Sequence, residues 1–387
     1  MIDFTFQNPT RIHFGRGAMN HLESECRALG ATRVLLVYGG GSIKRTGVYD
    51  QVMERLSGAQ VWELGGVQPN PRLSLAQRGV ALCREHDVEL VLAVGGGSAI
   101  DTGKAIANGA CYDGPLWDLF DGAATNTRTL PLGTVVTLPA AGSEMSNSCV
   151  LTRDEDLCKR GRNTPLNFPV FSILNPEFTF TLPPFQTACG VVDIMAHMME
   201  RYFTRVSHVE LTDRLMEAAL VTVMRNAPLV MQTPDDYDAR AEIMWAGCLA
   251  HNTLYQTGRV GDWASHKLEH ELSALYDIAH GAGLAVVFPA WMRYVLPRGG
   301  APKLAQFARR VLGVTQEDDE SAAREGVERL EAFWQSLGLG TRLKDYGIDG
   351  RNVERMAKRC TAMVGGTAGA FVVLDEAACR EIYRLAL

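Results

Sequence analysis

Acidic and histidine side chains recur at helical spacing in the second half of the sequence. Asp193 and His197 are four residues apart in GVVDIMAHMMERY, and His266 and His270 repeat that spacing in DWASHKLEHELSALY. Residues at i and i+4 lie on one face of a helix, so each pair would point its side chains in one direction. A carboxylate together with imidazoles from separate helices is a suitable donor set for a divalent transition metal.

His280 follows in YDIAHGAG, where glycines indicate a break between helices. The residues flanking Asp193 are apolar, which indicates that its carboxylate is buried, and a buried carboxylate needs a partner. A metal ion would supply that partner. Spacing alone leaves a simpler explanation open, because helices often carry a histidine in the core or at the surface, as we assume for His208 and His251.

The composition is that of an ordinary globular protein. The chain has 387 residues, of which 47% are hydrophobic and 21% charged, so it can build a large core. Length predicts two or three domains. A net charge of −6 argues against nucleic acid or an anionic membrane surface as the main partner.

The cysteines and the N-terminus indicate a reducing compartment. The nine cysteines include no CxxC pair, which argues against a disulfide framework or a cysteine-based zinc site. The first residues, MIDFTFQNPT, do not resemble a signal peptide, and no apolar run approaches the roughly 20 residues of a membrane helix. We therefore expect a cytoplasmic protein with no membrane partner.

The elements that would position the histidines fall into two halves. Continuous apolar strands, predicted at 34–38, 61–64, 90–94, 134–138 and 170–174, alternate with helices at about 43–56, 73–86 and 99–110. This alternation predicts a parallel sheet covered on both faces. Long helices are predicted from Pro184 onwards. We place the domain boundary at Leu182, giving an α/β domain over 1–182 and an all-helical domain over 183–387, with ligands expected in the cleft between them.

Two glycine tracts follow predicted strands, and the chain contains 38 glycines in all. The segment VLAVGGGSAIDTGK (91–104) has the strand, glycine turn and helix arrangement that cradles a phosphate, with Ser98 as a capping hydroxyl. It is neither GxGxxG, because Ile100 occupies the last glycine position, nor a Walker motif. The alternative is that these glycines only make a tight turn.

The second tract, VYGGGSIKRTG (37–47), bears on the choice of cofactor. An acidic side chain at a strand end suits the ribose 2′-hydroxyl of NAD(H), whereas a basic one suits the 2′-phosphate of NADP(H). This turn offers no acidic residue, but Ser42, Lys44 and Arg45 are close by. NADP(H) is therefore predicted in preference to NAD(H), unless Lys44 and Arg45 simply form a solvated helix start.

At this point the motifs resemble those of a known family. TRIHFGRGA, GGGSAIDTGK, TLPAAGSE, VVDIMAH and SHKLEHEL followed by HG occur in the order found in the iron-containing, or group III, alcohol dehydrogenases. The resemblance extends over essentially the whole chain and is greatest to the branch of NADP(H)-dependent butanol dehydrogenases and broad-specificity aldehyde reductases. It implies the dehydroquinate synthase-like fold, with a Rossmann-like dinucleotide-binding domain and an all-helical metal-binding domain.

The resemblance also assigns roles to individual positions. It implies that the metal, Fe²⁺ with Zn²⁺ as the alternative, is held by Asp193, His197, His266 and His280. His270 would lie beside the substrate, either relaying a proton or lining the pocket. The residues implied around the cofactor are Gly39, Gly40, Gly41, Ser42, Asn70, Gly95, Gly96, Gly97, Ser98, Asp101, Thr137, Leu138, Ser143 and Lys159. One departure is Ala141, where relatives often carry threonine, which removes a hydroxyl near the cofactor.

These observations lead to one main hypothesis. Hydride would pass between NADP(H) and a primary alcohol or aldehyde, with the metal acting as a Lewis acid on the substrate oxygen. The first alternative is a dehydroquinate synthase-like lyase on the same fold, which would need a basic cluster that we do not find around the ligands. The second is a metal-dependent hydrolase or a non-catalytic metal-binding protein. A homodimer is expected, because the extended N-terminal segment could pair across a twofold axis.

Overall fold

The predicted parallel sheet is present in the computed structural model, which describes residues 1–362 and 365–387. Its strands are β1 (Arg11–Phe14), β2 (Arg33–Tyr38), β3 (Gln60–Leu64), β4 (Leu90–Gly95), β5 (Leu132–Val136) and β8 (Phe171–Leu174). They form a six-stranded sheet in the order β1-β8-β5-β4-β2-β3, with every neighbouring pair parallel. Two further strands, β6 (Ser148–Arg153) and β7 (Cys158–Asn163), form a separate antiparallel hairpin.

The helices in chain order are α1 (Leu22–Ala28), α2 (Ser42–Arg45), α3 (Val48–Arg55), α4 (Leu73–Glu85), α5 (Gly97–Ala110), α6 (Asp118–Asp121), α7 (Pro184–Tyr202), α8 (Glu210–Gln232), α9 (Tyr237–Ala250), α10 (Ala264–Tyr276), α11 (His280–Val295), α12 (Ala301–Val311), α13 (Asp319–Ser336), α14 (Val353–Ala362) and α15 (Glu376–Leu385). None of the helices within 1–362 and 365–387 has the length and apolar character required to cross a lipid bilayer.

Both faces of the sheet are covered, as the continuous apolar strands predict. On one face Val34, Leu36, Leu92 and other buried residues of the central strands pack with α1 and α3 in a single core cluster. On the other face α5 lies so close to β4 that a Cβ added to Gly103 would be 3.1 Å from the Cβ of Ala93. Alternate side chains of β2 and β4 therefore pack into the cores on opposite faces of the sheet. This confirms the α/β class of the first half.

The chain divides into two compact units. The sheet unit comprises Gln7–Leu182 and Thr233–Asn252, and the helical unit comprises Met1–Phe6, Pro183–Gln232 and Thr253–Leu387. One division of the chain falls between Leu182 and Pro183, and α9 belongs to the sheet unit although it follows α8 in sequence. Contacts with the loop after β5 account for this: His251 Nδ1 is 3.1 Å from the carbonyl oxygen of Ala141, and Cys248 Sγ donates to Met145 Sδ at 3.6 Å.

The helical unit is built around α11, which contacts α7, α10, α13 and α15. Almost every residue of α11 from Gly281 to Val295 is buried, which explains why the sequence shows a long apolar run there. Helix α7 begins with Pro184 in its first turn, where the missing amide costs no hydrogen bond. These buried helices carry the acidic and histidine side chains identified from their spacing.

Candidate metal centre and cofactor loops

Asp193 and His197 lie on the buried face of α7, as their spacing predicts. Their side chains are 6% and 5% exposed, and Asp193 Oδ1 is 3.3 Å from His197 Nε2. The apolar residues that surround Asp193 in the sequence, such as Val192 and Ile194, are fully buried. The helix therefore holds a carboxylate oxygen and an imidazole nitrogen side by side, away from solvent.

Two further imidazoles reach the same carboxylate oxygen from other helices. His266, in the first turn of α10, and His280, the first residue of α11, each place Nε2 3.8 Å from Asp193 Oδ1. The ligand atoms of Asp193, His266 and His280 all lie within 4.8 Å of one another. Three imidazole nitrogens from three helices thus lie within 3.8 Å of one carboxylate oxygen, and we call the four residues Asp193, His197, His266 and His280 the metal centre.

The spacing of these atoms fits a bound divalent ion. Bonds of about 2.0–2.2 Å from a metal to nitrogen or oxygen would place tetrahedral ligand atoms about 3.4 Å apart, close to the observed separations. Within 1–362 and 365–387, the buried atoms Asp193 Oδ1 and His266 Nε2 find no hydrogen-bond partner. Leaving such atoms unsatisfied costs about 1–3 kcal/mol each, and coordination would remove that cost. One carboxylate with three imidazoles suits both Fe²⁺ and Zn²⁺.

Electrostatics at the metal centre favour positive charge. Burial alone lowers the pKa of His266, but the carboxylates of Asp193 and Glu200 outweigh burial and raise it to about 9. The site therefore attracts a cation, which is a proton when no metal competes for the imidazole.

His270 lies close to the metal centre without joining the cluster around Asp193. Its ring centroid is 5.7 Å from that of His280, and one of its nitrogens lies within 4.8 Å of ligand atoms of Glu269 and His280. It is half-buried. This position agrees with an imidazole beside the centre, while its role as proton relay or pocket lining stays a prediction.

The turn between β4 and α5 has the form of a phosphate cradle. Gly95 ends the strand, Gly96 caps the helix and Gly97 begins it, so the first amides of a 14-residue helix point out of its N-terminus. A Cβ on Gly96 would lie 3.1 Å from Leu138 Cβ, and one on Gly97 would lie 3.0 Å from Ala141 Cβ. Both glycines thus pack closely against the segment after β5, which leaves little room for a side chain.

Asp101 and Ser143, both predicted near the cofactor, contact each other. Ser143 Oγ donates to Asp101 Oδ1 at 2.6 Å, and the amide of Val150 donates to Asp101 Oδ2 at 2.8 Å. Burial raises the pKa of Asp101. The carboxylate therefore ties α5 to the 3₁₀ turn at Ser143 and to β6. Thr137 and Leu138 follow β5 directly, and the Thr137 amide donates to the carbonyl oxygen of Gly95 at 3.0 Å.

Asn70 and Lys159 form a second contacting pair among the predicted cofactor residues. Lys159 Nζ donates to Asn70 Oδ1 at 3.0 Å, and both residues are buried. Asn70 has a left-handed backbone with φ of 56°, which asparagine tolerates better than most residues. The contact joins the loop after β3 to β7 of the hairpin, 89 residues away in sequence.

The basic residues after the first glycine tract differ in their surroundings. Lys44 Nζ donates to Glu63 Oε2 at 2.9 Å, and Tyr38 and Tyr49 donate to the same carboxylate at 2.7 and 2.6 Å. Partial burial opposes ionisation of Glu63, but these hydrogen bonds hold its pKa at about 2. Arg45 is exposed and makes no ion pair within 1–362 and 365–387. The NADP(H) prediction rested on Ser42, Lys44 and Arg45, and Lys44 is already paired.

Three functional candidates were not identified from the sequence: Glu63, Glu200 and Glu269. Glu200 Oε1 is 2.9 Å from His266 Nδ1, and Glu269 contacts His280 Nδ1. Glu200 and Glu269 each lie three residues after a histidine of the metal centre on the same helix, and this spacing could have identified them. Nothing local relates Glu63 to Lys44, because they lie on separate elements.

Comparison with known proteins gives a consistent result over the whole chain. Residues 9–176 match the family described as iron-containing alcohol dehydrogenase, and residues 187–387 match the C-terminal part of the same family. A probable NADH-dependent butanol dehydrogenase 1 of Bacillus subtilis is 46% identical, with 100% of both chains covered. The NADPH-dependent aldehyde reductase YqhD of Escherichia coli is 39% identical over 93% of each.

Solved structures agree with this result. The crystal structure of NADH-dependent butanol dehydrogenase A from Thermotoga maritima, 40% identical, superimposes with a TM-score of 0.96 and covers 99% of this chain and 98% of that one. The relatives are oxidoreductases by name, which favours the dehydrogenase hypothesis over the lyase. They include both NADH- and NADPH-dependent proteins.

Proposed function

Because the chain belongs to the family of iron-containing alcohol dehydrogenases, it is a metal-dependent oxidoreductase that uses a nicotinamide cofactor, and we propose that it interconverts short primary alcohols and aldehydes at the metal centre. The proposed ligands are Asp193, His197, His266 and His280. The observation that carries this proposal is the approach of three imidazole Nε2 atoms to within 3.3–3.8 Å of one carboxylate oxygen.

The side chains of the helical unit would prepare the site for reaction. A bound divalent ion, Fe²⁺ by family and Zn²⁺ as the alternative, supplies a Lewis acid for the substrate oxygen. Asp193 contributes the single negative charge among the four proposed ligands, and its burial keeps water from competing for the donors. We place His270 at the substrate oxygen, where its imidazole would relay the proton gained on reduction or lost on oxidation.

The glycine turns would bind and orient the cofactor. The amides at the start of α5, at Gly97 and Ser98, are proposed to donate to the pyrophosphate. Asp101 and Ser143 would hold the segment after β5 in place, so that Thr137 and Leu138 can face the nicotinamide end. At the adenosine end we propose that NADP(H) is accepted with Arg45 and Ser42 facing the 2′-phosphate, because Lys44 is paired with Glu63.

The test is oxidation of NADPH and NADH by butanal, followed by absorbance, with protein loaded with Fe²⁺ or Zn²⁺ and again after chelation. We expect turnover that chelation abolishes and metal restores. Asp193→Ala should remove this turnover, whereas His86→Gln, which alters an imidazole stacked on Trp62 in the sheet unit, should retain it. Fully metallated protein that reduces no short aldehyde with either cofactor would contradict the proposal.

We also propose that the chain forms a homodimer and works in the cytoplasm. Ile2, Phe4 and Phe6 are 43%, 53% and 44% exposed and alternate along the N-terminal segment, as in a strand with one apolar face. Such a face suits pairing with a second copy. All nine cysteines are free thiols, in keeping with a reducing compartment. Sedimentation equilibrium would decide the oligomeric state, and a monomer at micromolar concentration would overturn the dimer.

A further inference from the structure

Two glutamates outside the predicted ligand set contact the imidazoles of the metal centre. Glu200 Oε1 accepts the backbone amide of His266 at 2.8 Å and lies 2.9 Å from its Nδ1. Glu269 Oε2 contacts Nδ1 of His280. Their side chains are 1% and 0% exposed. Each carboxylate is therefore buried with an imidazole of the centre as its close neighbour.

These contacts determine which nitrogen of each ring can face a metal. An ionised carboxylate only accepts hydrogen bonds, so the Nδ1 that faces it must carry the proton. In a neutral imidazole, Nε2 then bears the lone pair. In both rings Nε2 is the atom that lies 3.8 Å from Asp193 Oδ1. Both glutamates thus direct a lone pair towards the same point.

Each glutamate also joins two helices that contribute to the centre. Glu200 extends from α7, which carries Asp193 and His197, to the start of α10 at His266. Glu269 extends from α10 to the start of α11 at His280. The two carboxylates therefore link the three helices in series, which fixes the positions of the histidines relative to Asp193.

The surroundings of Glu269 hold its carboxylate in one orientation. Ser273 Oγ donates to Glu269 Oε1 and lies 3.2 Å from the carbonyl oxygen of Ile278, two residues before His280. Gly283 on α11 leaves the space that the carboxylate occupies, because a Cβ there would lie 2.7 Å from Glu269 Oε1 and 2.8 Å from its Cγ. Glycine at position 283 is thus matched to the placement of Glu269.

We propose that Glu200 and Glu269 are positioning residues for the divalent ion: they hold His266 and His280 as Nε2 donors and add negative charge next to the centre. This inference rests on the proposed function, since it assumes that the metal centre binds such an ion. Carboxylates that orient ligand imidazoles in this way contribute roughly 10–100-fold to metal affinity in other proteins.

The experiment measures the dissociation constant for Zn²⁺ by competition with a chromophoric chelator, together with the absorption spectrum of the Co²⁺-loaded protein. Glu200→Ala and Glu269→Ala should weaken Zn²⁺ binding about 10–100-fold and alter the Co²⁺ spectrum. Glu200→Gln and Glu269→Gln should lose less, because an amide oxygen still accepts the Nδ1 hydrogen. The glutamine variants decide the question if an alanine variant does not fold, as judged by circular dichroism.

Glu271→Gln is the matched control. Glu271 is also buried on α10, but its carboxylate pairs with Arg359 Nε at 2.7 Å and contacts no proposed ligand. Its substitution should leave Zn²⁺ affinity unchanged. Folded Glu200 and Glu269 variants with wild-type affinity, or an equal loss in Glu271→Gln, would overturn the inference.

Gly283→Ala gives an independent test through a double-mutant cycle. Alone it should weaken Zn²⁺ binding, because its Cβ displaces the Glu269 carboxylate. In the Glu269→Ala background it should have little further effect, and additive losses would contradict the inference. If Zn²⁺ affinity depends on Glu200 and Glu269 in this way but the wild-type protein reduces no aldehyde, only the proposed function is contradicted. Failure of the inference and failure of the proposed function are therefore distinguishable.

Discussion

Lys44 and Arg45 are neighbours in the chain, but the structure gives them different electrostatic environments. Hydrogen bonding with Tyr38 and with Glu63 raises the pKa of Lys44, whose Nζ also lies 4.4 Å from the centre of the Tyr49 ring. Arg45 is exposed, with no ion pair within 1–362 and 365–387. A 2′-phosphate arriving at this turn would have to compete with Glu63 for Lys44, whereas Arg45 is available to it.

We therefore predict that Arg45 contributes more than Lys44 to any preference for NADPH. Arg45→Gln should raise KM for NADPH by about tenfold, the equivalent of one charge-assisted hydrogen bond, and leave KM for NADH nearly unchanged. Lys44→Gln serves as the matched control and should have the smaller effect. Steady-state kinetics with both cofactors at low ionic strength measures this, and a larger effect at Lys44 would show that the Glu63 pair opens on binding.

At the residue scale, the sequence predicts the metal ligands better than the side chains that orient them. Helical spacing points to Asp193, His197 and His266, and the family motifs complete the set of four proposed ligands with His280. Glu200 and Glu269 share that spacing, but many exposed glutamates do too, and only burial against His266 and His280 distinguishes them. The pairing of Lys44 with Glu63 joins a helix to a strand 19 residues away, so no local pattern could reveal it.

At the scale of elements, continuous runs of apolar residues identify the buried strands well, but the sequence pattern does not show where a helix is interrupted. The five predicted strands all occur, shifted by at most two residues at an end. In the central strands both faces are buried, so their apolar runs are continuous. The helix predicted at 43–56 is two helices, since Gly47 adopts φ of 75° between Arg45 and Val48. The hairpin was missed because CKRGRN in β7 lacks the alternation of a half-buried strand.

The 3₁₀ turn Ser143–Met145 contains a buried acid that makes stability depend on pH. Burial raises the pKa of Glu144 to about 7, from 4.5 for an ordinary glutamate. The folded state therefore binds the proton more tightly than the unfolded chain. Its stabilising contribution is complete below pH 4.5 and is lost as pH rises through about 7.

Glu144→Gln should remove this dependence, because an amide stays neutral throughout. Relative to the variant, the wild-type free energy of unfolding should fall by up to ~3 kcal/mol as pH rises across that window. Urea unfolding over a pH series measures the difference. Glu23→Gln, at an exposed position on α1, is the control and should leave the slope unaltered. A Glu144→Gln slope equal to that of wild type would show that Glu144 is ionised throughout the range.

At the scale of the whole molecule, the proposed sites for the metal ion and for the cofactor lie in different units. The four proposed metal ligands belong to the helical unit, and the glycine turns proposed for the cofactor belong to the sheet unit. The division follows from the physics of each site. A phosphate cradle needs the turn between a parallel strand and a helix, whereas a buried metal needs side chains from several packed helices. On this proposal the metal ion would stabilise the helical unit and the cofactor the sheet unit.

This assignment predicts separate footprints in hydrogen–deuterium exchange. Zn²⁺ alone should slow amide exchange in α7, α10 and α11, because coordination would hold the three helices together. NADPH alone should slow exchange at residues 95–98, where the amides at the start of α5 would face the pyrophosphate. Helices α12 and α13, which pack on each other and carry no proposed ligand, provide the internal reference. If NADPH slowed exchange in α7 and α10 but not at residues 95–98, the proposal that residues 95–98 bind the pyrophosphate would be wrong. If Zn²⁺ slowed exchange only in the sheet unit, the proposal that Asp193 binds the metal would be wrong.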